Sequence, residues 1–414
     1  MSEVKHALTP PEDINDVSFV NVYGDSASYT EDGFSALHTR PWWGRYDPIW
    51  ESKYDDVVTR KWDFPALTER RVSNRGDGVL AVKDRRYFSP VDVGEKRLYS
   101  SMAIRVMAII VEYGMATTDQ ILLLSGIKVS ANRVVSVLQN LWDAGLLLRM
   151  QVPSPIGKVH VWMLSRKKGM SSLESWLERL EPWQYQLVAA GGDPLDYDGY
   201  SVPPSAIRHN ICTTEMLLRA MEACPDVIGA WGERHCKAEQ LSEQKLFPTE
   251  VSRANIGDGA IVTKGGRVII FETTGSQSMP QKKLSEKAGA WVGVCGRSDV
   301  DLSVVFVDIS YNPNPKKLFN AVSWGVDEKA GRYVARADIR QRGEQKIFVA
   351  HAKHWFPTAR MVSDSFATLE VVRACDRERT HILSGEEEWD YGSPIVGATA
   401  LSLHNPDWVL SKLM

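Results

Sequence analysis

The 414-residue chain has little cysteine and no long apolar run. Its five cysteines, Cys212, Cys224, Cys236, Cys295 and Cys375, are scattered and odd in number. None has the Cys-x-x-Cys spacing, so neither a disulfide framework nor a structural zinc site is expected, and reduced thiols in a cytoplasm are. No stretch approaches the ~18 consecutive apolar residues of a membrane span. The opening Met-Ser-Glu-Val-Lys-His is polar and lacks the apolar core of a signal peptide. A cytoplasmic protein with no membrane partner is the expectation. There is no internal repeat and no low-complexity tract. Overall charge is small, with 49 Lys and Arg against 52 Asp and Glu for a net of -3. Tryptophan is abundant at 14, and a hydrophobic fraction of 43% suffices for packed cores. The length implies two or three domains.

Residues 102–164 carry the most readable pattern. Met102, Val106, Ile109, Ile110 and Tyr113 recur at helical spacing, and Gly114 stops that helix. Thr117-x-x-Gln120 is a capping box, in which two orphan amides are satisfied reciprocally. A short helix follows through Ile121, Leu122 and Leu124 to Gly126. Ser130 caps a third helix with Val134, Val137, Leu138 and Leu141 on its buried face and Trp142 at the margin. Its other face carries Asn132, Arg133, Ser136 and Asn140, and Gly145 closes it. Alternating runs at 146–152 and 158–164 flank Pro153-Ser-Pro-Ile-Gly157, a hairpin with a proline- and glycine-bearing tip.

Three helices and a hairpin in this order read as a winged helix-turn-helix, whose third helix enters the major groove of DNA. Asn132 has the chemistry to pair with adenine and Arg133 with guanine or phosphate, beside Ser136 and Asn140. Lys158, Arg166, Lys167 and Lys168 lie on or beside the wing, where phosphate contacts position a module without reading sequence. Residues 95–170 hold ten Lys and Arg against four Asp and Glu, a balance of +6 in a chain of -3. That local excess suits a phosphate-facing surface. Double-stranded DNA is the expected partner, and binding it needs no cofactor. A homodimer is a second expected partner state, since DNA readers are commonly symmetric. The alternative is a three-helix domain used for protein contacts.

Residues 1–94 read as an extended arm rich in Trp and Arg. Arg40, Trp42, Trp43, Arg45, Tyr46 and Trp50 could stack bases or anchor the arm on a neighbouring domain; prolines and acids within the stretch favour anchoring. Residues 171–190 look helical, and the acidic, proline-bearing stretch that follows reads as a linker. Beyond it, residues 208–223 form a helix, 227–231 a strand and 281–294 a helix. The nearly unbroken apolar run 302–309 is a buried strand. Residues 346–350 are a strand candidate, 365–377 look helical, and 408–413 a short terminal helix. His351 and His354 are a thin metal signal, better read as packing beside Trp355 and Phe356.

Residues 260–263 and 267–273 are strand-like around the hairpin turn Lys264-Gly265-Gly266. Asp258 opens the first strand and Glu272 ends the second, so antiparallel pairing can bring the two carboxylates together. An acid, a hairpin and a second acid resemble the core of PD-(D/E)xK nucleases. That resemblance implies that Asp258 and Glu272 hold a divalent metal, usually magnesium, and that a helix glutamate, here Glu215, joins them. The family's lysine lies two residues past the second acid. Thr274 stands there instead, and Lys283 and Lys287, which share a face of the next helix, are the candidates to replace it.

The combination is more specific than either half. A winged helix, a linker helix, a helix opening Arg208-His209-Asn210 and the Asp258-hairpin-Glu272 unit resemble the replication-relaxation family of bacterial plasmids and mobile elements over residues 102–309. The expected fold class is α/β (α+β), a winged helix-turn-helix domain followed by a restriction-endonuclease-like α/β domain. The expected division is an arm at 1–94, a winged helix at 95–168, a linker helix and loop at 169–205 and a nuclease-like domain with an extension at 206–414. The expected function is docking on duplex DNA in replication, relaxation or transfer, with a nuclease-like domain of open status. The alternatives are an active magnesium-dependent endonuclease, and a protein-binding scaffold or transcription regulator.

Overall fold

The computed structural model describes residues 45–50, 95–125, 130–152, 159–165, 172–189, 194–196, 204–236, 257–275, 280–298, 301–310, 314–357 and 362–383. Lys158, Arg166, Lys167 and Lys168, the hairpin tip, most of the arm and the expected helix at 408–413 lie outside the described residues.

The chain is a mixed α/β protein with a small three-stranded sheet and a seven-stranded sheet. Helix α1 (Ser101–Tyr113) is capped by the Ser100 hydroxyl, which accepts from the Ala103 amide at 3.3 Å, and ends at Gly114 with φ of 72°. Strand β1 (Met115–Thr117) leads into α2 (Thr118–Leu124), where the expected capping box forms: Thr117 N donates to Gln120 Oε1 at 3.0 Å and Gln120 N to Thr117 Oγ1 at 3.2 Å. Helix α3 (Ala131–Asp143) starts at Ser130, and Gly145 follows it with φ of 75°. Strands β2 (Leu147–Val152) and β3 (Val159–Leu164) pair antiparallel, and β1 adds to β3.

The expected helix over 171–190 is two helices, α4 (Ser172–Leu177) and α5 (Pro182–Val188). Pro182 lacks an amide hydrogen and fits a first helical turn, so it opens a new helix and does not continue the old one. Helix α6 (Pro204–Ala223) then packs against both sheets. Its Ile207 and Ile211 cover the outer face of the small sheet with Met115, Leu148, Met150, Val161 and Met163. Further along, Cys212, Met216, Leu217 and Met221 join a core shared by α1–α3 and the large sheet. That core is continuous across the boundary placed near residue 205.

Strands β4 (Val227–Gly232), β5 (Gly259–Thr263), β6 (Val268–Thr274), β7 (Leu302–Asp308), β8 (Ile347–His351), β9 (Glu370–Arg373) and β10 (Arg379–His381) form the large sheet in sequence order. β6, β7 and β8 are parallel; the other pairs are antiparallel. Helix α7 (Gln281–Arg297) connects β6 to β7; α8 (Pro315–Trp324) and α9 (Ala337–Glu344) lie between β7 and β8. Alternation divides the parallel strands: Ile269, Phe271, Val305 and Val307 face α6, and Val268, Ile270, Val304 and Phe306 face α7. Burial on both faces explains the unbroken apolar run of β7. The expected helix over 365–377 is a short helix, Asp364–Ala367, followed by strand β9. Leu369 turns the chain with φ of 47°, and the β-branched Val371 and Val372 pair with β10.

Two close approaches fix the seam between the helical unit and the large sheet. A Cβ at Gly232 would lie 2.4 Å from the Glu112 carbonyl oxygen, and the Glu112 carboxylate accepts from Gly232 N at 2.6 Å. The arm segment 45–50 is buried in the same seam. Trp50 Nε1 donates to Phe356 O at 2.8 Å, and Arg45 and Asp47 join charges on α6. This is the anchoring arrangement for these six residues. Among the described residues no helix is long and apolar enough to cross a membrane.

Candidate active site

The β5–β6 hairpin puts the two acids side by side. Asp258 N donates to Phe271 O at 3.0 Å and Gly259 pairs with Phe271, so Asp258 stands next to Glu272 across the ladder. Both lie where β6 and β7 end, the edge at which parallel strands of open α/β sheets present ligand sites.

Asp258 is held from α6. Its Oδ1 lies 3.0 Å from His209 Nε2; Oδ2 accepts from Thr273 N at 2.7 Å and from Thr273 Oγ1 at 3.2 Å. The Thr213 and Thr273 hydroxyls are 2.7 Å apart. His209 and Thr213 are one helical turn apart and share a face. Gly259 lets α6 come this close: a Cβ there would meet Leu217 Cδ1 at 2.7 Å and Thr213 Cγ2 at 3.2 Å. Glu272 is held from α7 on the other face of the sheet. Its Oε2 meets Lys287 Nζ at 2.5 Å and its Oε1 accepts from Trp291 Nε1 at 2.5 Å. Lys287 and Trp291 are again four residues apart.

These environments drive the two carboxyls apart. Burial would raise Asp258, but the charges of His209 and Lys287 and the bonds from His209 and Thr273 outweigh it and hold it at about 2. Burial lifts Glu272 to about 7 against the pull of Lys287, and the charge of Asp258 adds to the rise. Burial also raises Glu233, with Asp258 adding to it. Burial would lower His209 and Lys287, but their carboxylate neighbours outweigh it and raise both.

This gives a stability prediction. The folded Glu272 binds its proton more tightly than the unfolded one, whose ordinary value is 4.5. Its contribution is therefore complete below that value and is lost as pH rises through about 7. Urea midpoints measured in EDTA between about pH 5 and 8 should fall more steeply for the wild type than for Glu272→Gln. Parallel curves would show that Glu272 does not titrate in this window.

Beside Asp258 a small open cleft lies at the seam, lined by Tyr113, His209, Asn210, Thr213, Thr214, Glu233 and Asp258. The Tyr113 hydroxyl is buried there with no hydrogen-bond partner among the described residues. Asp258 and Glu272 are oxygen donors on neighbouring strands, and each feels the other's charge. Magnesium commonly takes one or two carboxylates and completes its shell with water and substrate phosphate, so this pair suits it. Among the described residues no group of three or more His, Cys, Asp or Glu is arranged to hold a metal ion.

Of the residues singled out from sequence, Asp258, Glu272 and Lys287 come together. Lys283 lies one turn nearer the helix start, exposed and away from both acids. Thr274 is buried and its hydroxyl donates to Gly275 O at 3.4 Å. Glu215 is elsewhere, which corrects its place in the site. It is fully buried where α6 meets α2 and the arm, accepting from Arg45 Nε and Arg219 Nε at 3.0 Å each and from Gln120 Nε2 at 3.1 Å. Those three donors take up its oxygens, so it serves structure. His209, Thr273, Trp291 and Glu233 were not anticipated as site residues. The i, i+4 spacing of His209 with Thr213 and of Lys287 with Trp291 is the signal that could have found two of these four.

On α3, Asn132, Arg133 and Ser136 are exposed and Asn140 is half-buried, while Val134, Val137, Leu138, Leu141 and Trp142 are buried. Arg149 of β2 packs its guanidinium 4.2 Å from the Trp142 ring centre. The polar face of α3 is thus open to a partner. Comparisons with protein-family models, curated proteins and solved structures found no match.

Proposed function

We propose that this is a DNA-binding protein of a plasmid or mobile element, which docks on duplex DNA through a winged helix and cleaves phosphodiesters at a magnesium-dependent, nuclease-like centre. The observation that carries the cleavage reading is the Lys287 ammonium on Glu272. It supplies, from the following helix, the cation that Thr274 does not. The order helix, three antiparallel strands, helix, parallel strand, from α6 to β7, supports the same reading.

Asp258 and Glu272 would hold the ion. When bound, magnesium polarises the phosphate and lowers the pKa of a coordinated water. Lys287 offsets part of the rise that burial gives Glu272, and would set a positive charge where negative charge develops on the phosphate. His209 and the Thr273 amide fix the orientation of Asp258. Trp291 fixes that of Glu272. Tyr113, Asn210 and Thr214 line the cleft with hydrogen-bonding groups for a water or a phosphate oxygen.

A second reading rests on the same contacts. All four carboxylate oxygens of Asp258 and Glu272 already have a partner in the chain. A retired nuclease fold, used only to hold DNA, would look this way.

The docking half is tested by binding. Arg133→Ala is expected to weaken duplex binding by about 1–3 kcal/mol, tenfold or more, if the guanidinium pairs with a base edge. Fluorescence anisotropy on a labelled duplex at several salt concentrations measures this. Unchanged affinity throughout would remove α3 as the docking face.

A further inference from the structure

The two helices that follow the parallel strands β6 and β7 open alike. α7 begins Pro280-Gln-Lys282-Lys283-Leu284, and α8 begins Asn314-Pro-Lys316-Lys317-Leu318. Leu284 and Leu318 both enter the core on the α7 side of the sheet. Lys282, Lys283 and Lys316 are exposed, and Lys317 is half-buried. Neither first turn has an acidic residue. This arrangement runs against local helix electrostatics, because the macrodipole favours anions at a helix start and disfavours cations. Lys282, Lys283 and Lys316, exposed where the macrodipole favours acids, point to a partner that brings negative charge.

Register puts all four on one edge. Thr274 and Asp308 are paired at the ends of β6 and β7, and Ile309 N donates to Thr274 O at 2.9 Å. Lys287, one turn beyond Lys283, reaches Glu272 near the end of β6. Asn314 N, just before α8, donates to Asp308 Oδ2 at 3.2 Å. Both lysine pairs therefore flank the edge that carries Asp258 and Glu272. Next along it, His351 ends β8 in register with Asp308, and Lys353 follows.

We propose that this lysine-bearing edge is a second DNA surface, which holds the sugar-phosphate backbone of the duplex docked on α3 and leads it past the acid centre. The inference rests on the proposed DNA-binding function and adds a location to it. Lysine suits the task because a flexible point charge follows phosphates of any sequence. The contacts are therefore positional and do not read bases.

The test uses the full chain with Lys282→Gln/Lys283→Gln, Lys316→Gln/Lys317→Gln and all four combined. Anisotropy on two labelled duplexes of unrelated sequence is measured over a salt series, with Arg133→Ala alongside and thermal melting as the folding control. Removing one lysine–phosphate pairing should lower the slope of log affinity against log salt by about 0.9. The quadruple variant is expected to lose about 3 to 4 of slope, equally on both sequences. Should it fail to fold, the two double variants carry the test, each losing about 2. A folded variant with the wild-type slope overturns the proposal. If Arg133→Ala alone weakens binding, the edge falls and the docking face stands. If the lysine variants alone weaken it, the reverse holds. Salt-insensitive binding in every variant sinks both, and would leave the lysines to an acidic protein partner.

Discussion

Arg45→Met is expected to destabilise the protein by about 3–5 kcal/mol, the usual loss when one partner leaves a buried ion pair. Arg45 is 1% exposed and binds two carboxylates of α6: Nε meets Glu215 at 3.0 Å, and Nη1 and Nη2 meet Glu222 at 2.9 and 3.1 Å. Arg219 sits on the other side of Glu215 at 3.0 Å and reaches Asp47 at 3.1 Å. Among the described residues, two guanidiniums thus face three carboxylates in a buried seam. Without Arg45, Glu222 loses the donor of both its hydrogen bonds, and one guanidinium faces three acids. Burial already raises Asp47 and Glu222 above their ordinary range. They would take up protons in the variant, so the loss should be larger at pH 8 than at pH 5. Adding Glu222→Leu to Arg45→Met should recover much of it, because a buried pair replaced by apolar groups is often nearly neutral. Urea midpoints of the two variants check this. A midpoint for Arg45→Met within about 0.5 kcal/mol of wild type, the scale of a plain surface substitution, would mean that the arm segment does not hold the seam.

The second large effect is on cleavage. Lys287→Ala is expected to cut the rate of plasmid nicking by about 100- to 1,000-fold, the scale of removing one preorganised electrostatic group. It acts in two ways. It removes the charge that faces the phosphate, and it leaves Glu272 buried beside Trp291 with no cation. Glu272 then holds its proton to a higher pH and gives up the charge that would hold magnesium. The lost activity should therefore return in part as pH is raised. At saturating DNA a Lys283→Ala variant should cleave at near the wild-type rate, since Lys283 does not reach the acids and acts only on binding. Equal loss in both variants would argue for general DNA weakening and against a role at the centre.

Much of the fold was legible because its signals are local. The Thr117–Gln120 box, the Ser130 cap, Gly114 and the Lys264-Gly265-Gly266 turn each determine a boundary through interactions a few residues apart. Strand β7 was legible from burial on both faces. Strand β9 was not: Phe366, Leu369, Val372 and Cys375 mimic a helical stripe, and only pairing with β8 and β10 decides for the strand. The break at Pro182 was legible and missed. In the site, Asp258 and Glu272 could be paired from the hairpin, and Lys287 was one of two residues left open by Thr274. Position along the helix chose between them, since Lys287 reaches Glu272 while Lys283, on the same face one turn nearer the helix start, does not. His209 was hidden because its partner lies 49 positions away. Glu215 was misplaced because phase along α6 turns it toward α2 and the arm, two parts of the chain that no local pattern connects to it.

The central claim is that Asp258, Glu272 and Lys287 form a metal-dependent phosphodiesterase centre. Its most direct measurement is incubation of the purified full chain with supercoiled plasmid in magnesium, manganese or EDTA, with Glu272→Ala beside it and binding followed on the same samples. The predicted result is nicking that requires the metal and disappears in the variant while binding is retained. Binding without nicking in either metal would contradict the claim and leave the large sheet and its helices as a surface that holds DNA.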